Sequence, residues 1–157
     1  MATGCLIIDA AEAVKDALAA GAFSQTFTPA RTSYVSWTLQ DLKTLRVSVV
    51  PAPFVLQAVG RGRTARKVSI DIGVQQKPEK VENTYVDPLL ILIEEVVNFF
   101  VPDRNKARAL EIAAPNARRI QCMDASLVSG EDSAISHEIL HDARVVTGVI
   151  RTTWQVL

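Results

Sequence analysis

Cysteine and histidine are scarce in this chain, with two of each among 157 residues. Cys5 and Cys122 are too few and too far apart for a disulfide framework or a zinc ribbon. They fit a reducing compartment, where both read as small apolar side chains. An excess of one charge sign is also missing: Lys+Arg and Asp+Glu are each 17. That balance removes the general argument for a nucleic-acid or acidic-membrane partner, so any electrostatic partner must meet a local patch. No long apolar run is present either. The nearest is PLLILIEEVVNFFV, residues 88–101, with Glu94 and Glu95 in its middle, against the roughly 20 apolar residues a spanning helix needs. The start, MATGCLIIDAAEAV, lacks a basic leader region and is not a secretory signal, so the mature chain is expected to begin here. GRGR, residues 60–63, has neither the G-x-x-x-x-G-K-[ST] nor the G-x-G-x-x-G spacing of a phosphate loop.

What is present suits one self-sufficient domain over residues 1–157, with 48% hydrophobic residues and no internal repeat or linker. Asp9 followed by Glu12 has the capping-box spacing, and the run of helix formers up to Gly21 predicts a first helix over residues 10–20. After a turn-like stretch at Pro29, YVSWTL (34–39) and LRVSVVP (45–51) alternate as strands, the second closed by Pro51. KVSIDIGVQ puts Val68, Ile70, Ile72 and Val74 on one face and Lys67, Ser69, Asp71 and Gly73 on the other. It is the cleanest strand in the chain.

Asp87 as N-cap and Pro88 at the first helical position open a second helix that Pro102 ends. Leu89, Leu92, Ile93, Val96 and Phe100 form its buried stripe, while Leu90, Ile91, Val97 and Phe99 leave little polar surface elsewhere. A helix apolar nearly all round must be covered on two sides, and the second cover is expected to be another subunit. DRNKARALEIAAP reads as a short third helix, RRIQCMDASL as a strand, and SAISHEILHDA as a short helical window. VVTGVIRTTWQVL reads as a terminal strand, central or paired along much of its length.

Two stretches carry candidate chemistry. Arg61, Arg63, Arg66 and Lys67 lie within seven positions without an acid among them. They read as a solvated loop between strands, or as a basic finger that meets phosphates or an acidic partner. HEILH, residues 137–141, spells the zinc-peptidase pattern H-E-x-x-H, with His137 and His141 one helical turn apart and Glu138 placed as general base. The only histidines are these two, so a third ligand must be a carboxylate or a cysteine. The tail after His141 offers just Asp142, about 100° round the helix from its neighbour. No other catalytic set is better placed: the serines lack a G-x-S-x-G context and Cys122 has no identifiable partner.

DLKTLRVSVVP, then KVSIDIGVQQK, VDPLLILIEEVVNFF and the final VVTGVIRTTWQVL, in this order, resemble the small neck and tail-completion proteins of tailed bacteriophages, among them tail terminators and head–tail joining proteins. The resemblance is one of pattern and covers about two thirds of the chain. It implies an α/β fold of the α+β type, with a mixed or largely antiparallel sheet of four to five strands packed by two main helices. It implies a homo-oligomeric ring, typically of six subunits, in the virion tail or neck and assembled in the host cytoplasm. The implied partners are the tail tube protein and the head-completion or connector proteins, with non-specific contact to DNA in the lumen and no membrane. The implied protein is no enzyme and has no cofactor. Leu90, Ile91, Val97 and Phe99 then become oligomer-interface candidates, and Arg61, Arg63, Arg66 and Lys67 candidates for partner or lumen contact.

The alternative is a small zinc-dependent metallopeptidase using HEILH; a basic-loop nucleic-acid binder is the third reading. With no third ligand in sequence reach, purified protein is expected to hold zinc far below one ion per chain by atomic absorption. Stoichiometric zinc that disappears in His137→Ala would restore the peptidase reading.

Overall fold

The computed structural model describes residues 4–33, 40–58, 61–62, 64–101, 108–113, 117–128, 140–141 and 144–156. Among these the chain forms α1 (Leu6–Ala20), β1 (Pro29–Arg31), a 3-10 turn (Asp41–Lys43), β2 (Arg46–Ala58), β3 (Thr64–Gln76), α2 (Asn83–Phe100), β4 (Ala109–Ile112), β5 (Arg118–Leu127) and β6 (Val146–Val156). The expected strand at 34–39 and most of the 133–143 window lie outside the described residues.

The strands make one mixed sheet in the order β1-β2-β3-β6-β5-β4. The class is the expected α+β with two main helices, but there are six strands rather than four or five. β1 runs parallel to β2, and every other pairing is antiparallel. Alternation assigns the faces. Val68, Ile70, Ile72 and Val74 lie opposite Trp154, Thr152, Ile150 and Gly148, and all except the glycine and Thr152 are apolar. On the reverse face, Asp71 accepts two hydrogen bonds from Arg151, at 2.8 and 2.9 Å. β6 sits between β3 and β5, paired along nearly its whole length as its pattern predicted.

The sheet curls around its helices. Arg31 of β1 donates to Glu12 of α1 at 2.6 Å, and the same turn of α1 borders a cleft shared with Glu111 and Ala113 beside β4. Six flat strands would separate the two edges by about 24 Å, more than one helix about 10–12 Å wide can bridge. Only a curled sheet brings both edges to one turn. The contact face of α1 is lined by Ala10, Ala11, Val14 and Leu18, each at most 1% exposed. Two alanines in that row keep the helix close to the strands.

Five expectations are corrected. α1 begins one turn before residue 10, with Cys5 rather than Asp9 at its cap. Asp9 is buried inside the helix and its carboxylate reaches back to accept from the Gly4 N–H at 3.2 Å. Pro51 does not close β2, which runs on to Ala58 across a bulge between Pro51 and Phe54. Beyond Val49 β2 has no β1 partner, so the missing proline N–H costs no ladder bond. α2 starts at Asn83, and Pro88 lies inside it. Tyr85 and Val86 donate to the Glu82 carbonyl, and burying Val86 extends the stripe Val86–Leu89–Ile93–Val96–Phe100 by one turn. Thr84, whose carbonyl loses its partner to Pro88, faces water. The expected third helix is β4 over Ala109–Ile112, where pairing to β5 overrides the helix-forming residues. Pro29, read as a turn, opens the short edge strand β1.

Glu12 also pairs with Lys15, so two cations hold its carboxyl below the ordinary 4.5, the Lys15 hydrogen bond contributing most. A depressed carboxylate stabilises the fold above its unfolded value, and the effect is lost as pH falls through the folded one. Glu12→Gln is therefore expected to lower stability at pH 7 by about 0.5–1 kcal/mol, the range of a partly exposed pair. The gap to wild type should close below the usual carboxylate range. Denaturant midpoints that coincide at pH 7 would contradict this.

Candidate interaction surface

The pairing of β3 with β6 ends at Lys67 and Gln155. Beyond that rung β2 and β3 pair only with each other: Leu56 with Arg66, Gln57 with Ala65, and Ala58 with Thr64. The stretch read as a basic loop is therefore mostly a two-stranded arm standing off the end of the sheet. Gly62, at φ 74°, sits in the left-handed region at the turn, with open space where a Cβ would be. Arg61 at the tip and Arg66 on β3 are exposed, and Lys67 is half-buried at the root. Arg63 lies outside the described residues.

The four apolar candidates on α2 divide between two environments. Leu90, Val97 and Phe99 are half-buried and pack against the core. Phe99 belongs to a chain of rings, with centroids 5.2 Å from Phe23 and 5.0 Å from Phe100, and Phe100 in turn lies 5.4 Å from Trp154. The Arg108 guanidinium lies over Phe99 at 3.7 Å, and its Nε donates to the Phe99 carbonyl at 2.8 Å. Gly21 lets this cover close: a Cβ there would fall 2.6 Å from Phe23 and 3.0 Å from Phe99. The chain itself thus supplies a second cover for the C-terminal turns of α2. Ile91 is 52% exposed, between exposed Asp87 and Glu94.

A further apolar group escaped the pattern reading. Met123 is 52% exposed, and Leu127 and Val128 are 41% and 43%. Met123 is the extra residue of a bulge, since Cys122 faces Trp154 and Asp124 faces the adjacent Thr153. The bulge shifts the inward positions from Ile120 and Cys122 to Ala125, and no residue type in RRIQCMDASL marks that slip.

Of HEILH, Leu140 and His141 are described and helical, while His137 and Glu138 lie outside the described residues. His141 is exposed and borders a cleft of about 460 Å³ with Val81, Leu140 and Arg144. Among the described residues, no three His, Cys, Asp or Glu side chains are grouped to hold a metal ion. Among them too, no helix is long and apolar enough to cross a membrane.

The chain matches no family model and no curated protein.

The two cysteines differ sharply. Cys5 is exposed at the start of α1, which corrects its reading as an apolar side chain, while Cys122 is fully buried in the core. Burial pushes the Cys122 thiol up to about 12, with the Asp124 carbonyl accepting from its Sγ at 3.4 Å. Because the thiolate is the reactive species, iodoacetamide at pH 8 is expected to add one group per native chain, at Cys5, and two after urea unfolding. Two groups on the native protein would place Cys122 outside the core.

Proposed function

We propose that this chain is a structural subunit of a ring at the tail–neck junction of a tailed bacteriophage. It ends the tail tube and offers the surface to which the head connector docks. The observation that carries the reading is the arm of β2 and β3, a paired ribbon that leaves the sheet with basic residues at tip and flank. Beyond Lys67 the ribbon makes no rung with β6, and its exposed Arg61 and Arg66 are available to another molecule. The four-segment resemblance supports the same reading. A ring closes through unlike surfaces on two sides of each subunit, and the chain has exposed apolar residues on two separate elements, Ile91 on α2 and Met123 to Val128 at the end of β5.

In this reading the partners are further copies of the chain, the tail tube protein and the head-completion or connector proteins. The arm meets protein before DNA, because no aromatic side chain stands between residues 55 and 84 to stack on bases. The place of action is the virion, after assembly in the host cytoplasm.

Native mass tests this. Purified protein is expected to form a ring, visible by electron microscopy and near six times its 17.1 kDa subunit mass, alone or on added tail tubes. A species that stays at one subunit under all conditions and ignores tail tubes would end the proposal.

A further inference from the structure

We infer that the arm of one copy docks on the exposed stripe of α2 in the next copy, a head-to-tail contact between two unlike surfaces of the same chain. The inference rests on the ring reading and names its contact. The arm side carries one sign of charge: no Asp or Glu occurs between residues 52 and 70, where Arg61, Arg63, Arg66 and Lys67 all fall. α2 carries the other sign, with no Lys or Arg anywhere from Asn83 to Phe100. Its solvent face presents Asp87, Ile91, Glu94 and Asn98 at steps of four, three and four, and therefore in one line along the helix. Ile91, at 52% exposure, is the apolar centre of that line with a carboxylate on either side. A basic ribbon laid over it covers the isoleucine and meets both acids.

The arm cannot satisfy the stripe of its own chain. β3 leads away from the arm for twelve residue steps, about 40 Å of extended strand, before the chain turns back into α2. Tyr85, in the first turn of α2, borders a cleft with Gln76 and Lys77 at the far end of β3. Phe100, at the other end of α2, meets Trp154, which pairs with Val68 near the arm root. Asp87 thus stands at the opposite end of the sheet from Arg61. Basic and acidic surfaces at opposite ends generate a directional, repeating contact, the kind that closes into a ring when its rotation allows. Contacts between exposed charges of this sort orient partners and weaken with salt, while the isoleucine, once covered by the arm, adds an apolar anchor.

The test is association measured by sedimentation velocity on two charge-reversed proteins, one with R61E and R66E and the other with D87K and E94K. Each alone is expected to self-associate about tenfold or more weakly than wild type, since like charges then face each other. An equimolar mixture is expected to assemble again, because acidic arm meets basic stripe and basic arm meets acidic stripe. A wild-type oligomer that ignores both reversals overturns this contact and leaves the ring reading standing, whereas a wild-type monomer at every concentration overturns both. If either reversed protein fails to fold, Arg61→Lys keeps the charge and permits zero-length carbodiimide coupling of oligomers. Amide links from position 61 to Asp87 or Glu94 of another copy support the contact. Oligomers linked only elsewhere refute it.

Discussion

Every rung between the two halves of the sheet passes through β6. β2 and β3 form one antiparallel pair, β4 and β5 another, and the last strand of the chain enters between them. The anchor of that strand is Trp154, fully buried and stacked edge-on against Phe100 of α2. A buried indole must satisfy its N–H, and here the Thr152 hydroxyl accepts it at 2.8 Å while donating to the Ile70 carbonyl of β3 at 2.8 Å. One hydroxyl therefore ties the ring, its own strand and the neighbouring strand together. Five residue steps along the same pairing, Gln75 Nε2 donates to Thr147 at 3.2 Å and joins the two strands from the opposite face. Without β6 the sheet divides into a three-stranded piece, β1-β2-β3, and the β4-β5 hairpin, which α1 and α2 alone would have to hold.

The curl that brings both sheet edges to α1 decides which surfaces are left for other molecules. The concave side is consumed: the inward rows of β3 and β6, the small-residue row of α1 and the stripe of α2 form one core. Phe23 and Phe27 from the chain after α1, with Arg108 before β4, close over the last turns of α2. What stays outward is the ribbon of β2 and β3, the Asp87–Ile91–Glu94 line and the bulged end of β5. These belong to different elements of the fold. Assembly through unlike patches is thus more compatible with this fold than a single self-complementary face.

Long alternating strands were legible because their period is carried by side chains that face one continuous core. The expected KVSIDIGVQ lies within Thr64–Gln76, and RRIQCMDASL and the terminal strand coincide with β5 and β6 almost residue for residue. Short edge strands were not legible. β1 and β4 have three and four residues, too few to show a period, and they exist because the neighbouring strand offers unpaired backbone. Helix starts failed for a related reason: Asp9 and Pro88 carry strong local capping signals, yet each was absorbed one turn inside a helix lengthened by packing. For the candidate surface, the cluster of basic residues and the excess of apolar ones on α2 could be read directly. That the cluster rides on a ribbon, and that Phe99 is covered by Phe23 and Arg108, depend on contacts between residues tens of positions apart.

Pro51 shows how one misread residue shapes the surface that matters most. Proline after a β-branched run ordinarily ends a strand, since it cannot donate to a ladder. Here it falls just where β1 has run out, so the donor it lacks has no acceptor to miss. The bulge that follows sets three residue steps of β2, from Pro51 to Phe54, against two of β3, from Ile70 to Val68. An inserted residue bends its strand and increases the local twist. Two rungs later the ribbon passes Lys67 and parts from β6. The bend therefore lies at the root of the arm, where it sets the direction in which Arg61 and Arg66 are carried away from the sheet. A substitution that removed the bulge would leave the basic residues in place along the chain but aim them elsewhere, so the arm's chemistry and its geometry are separable properties of this hairpin.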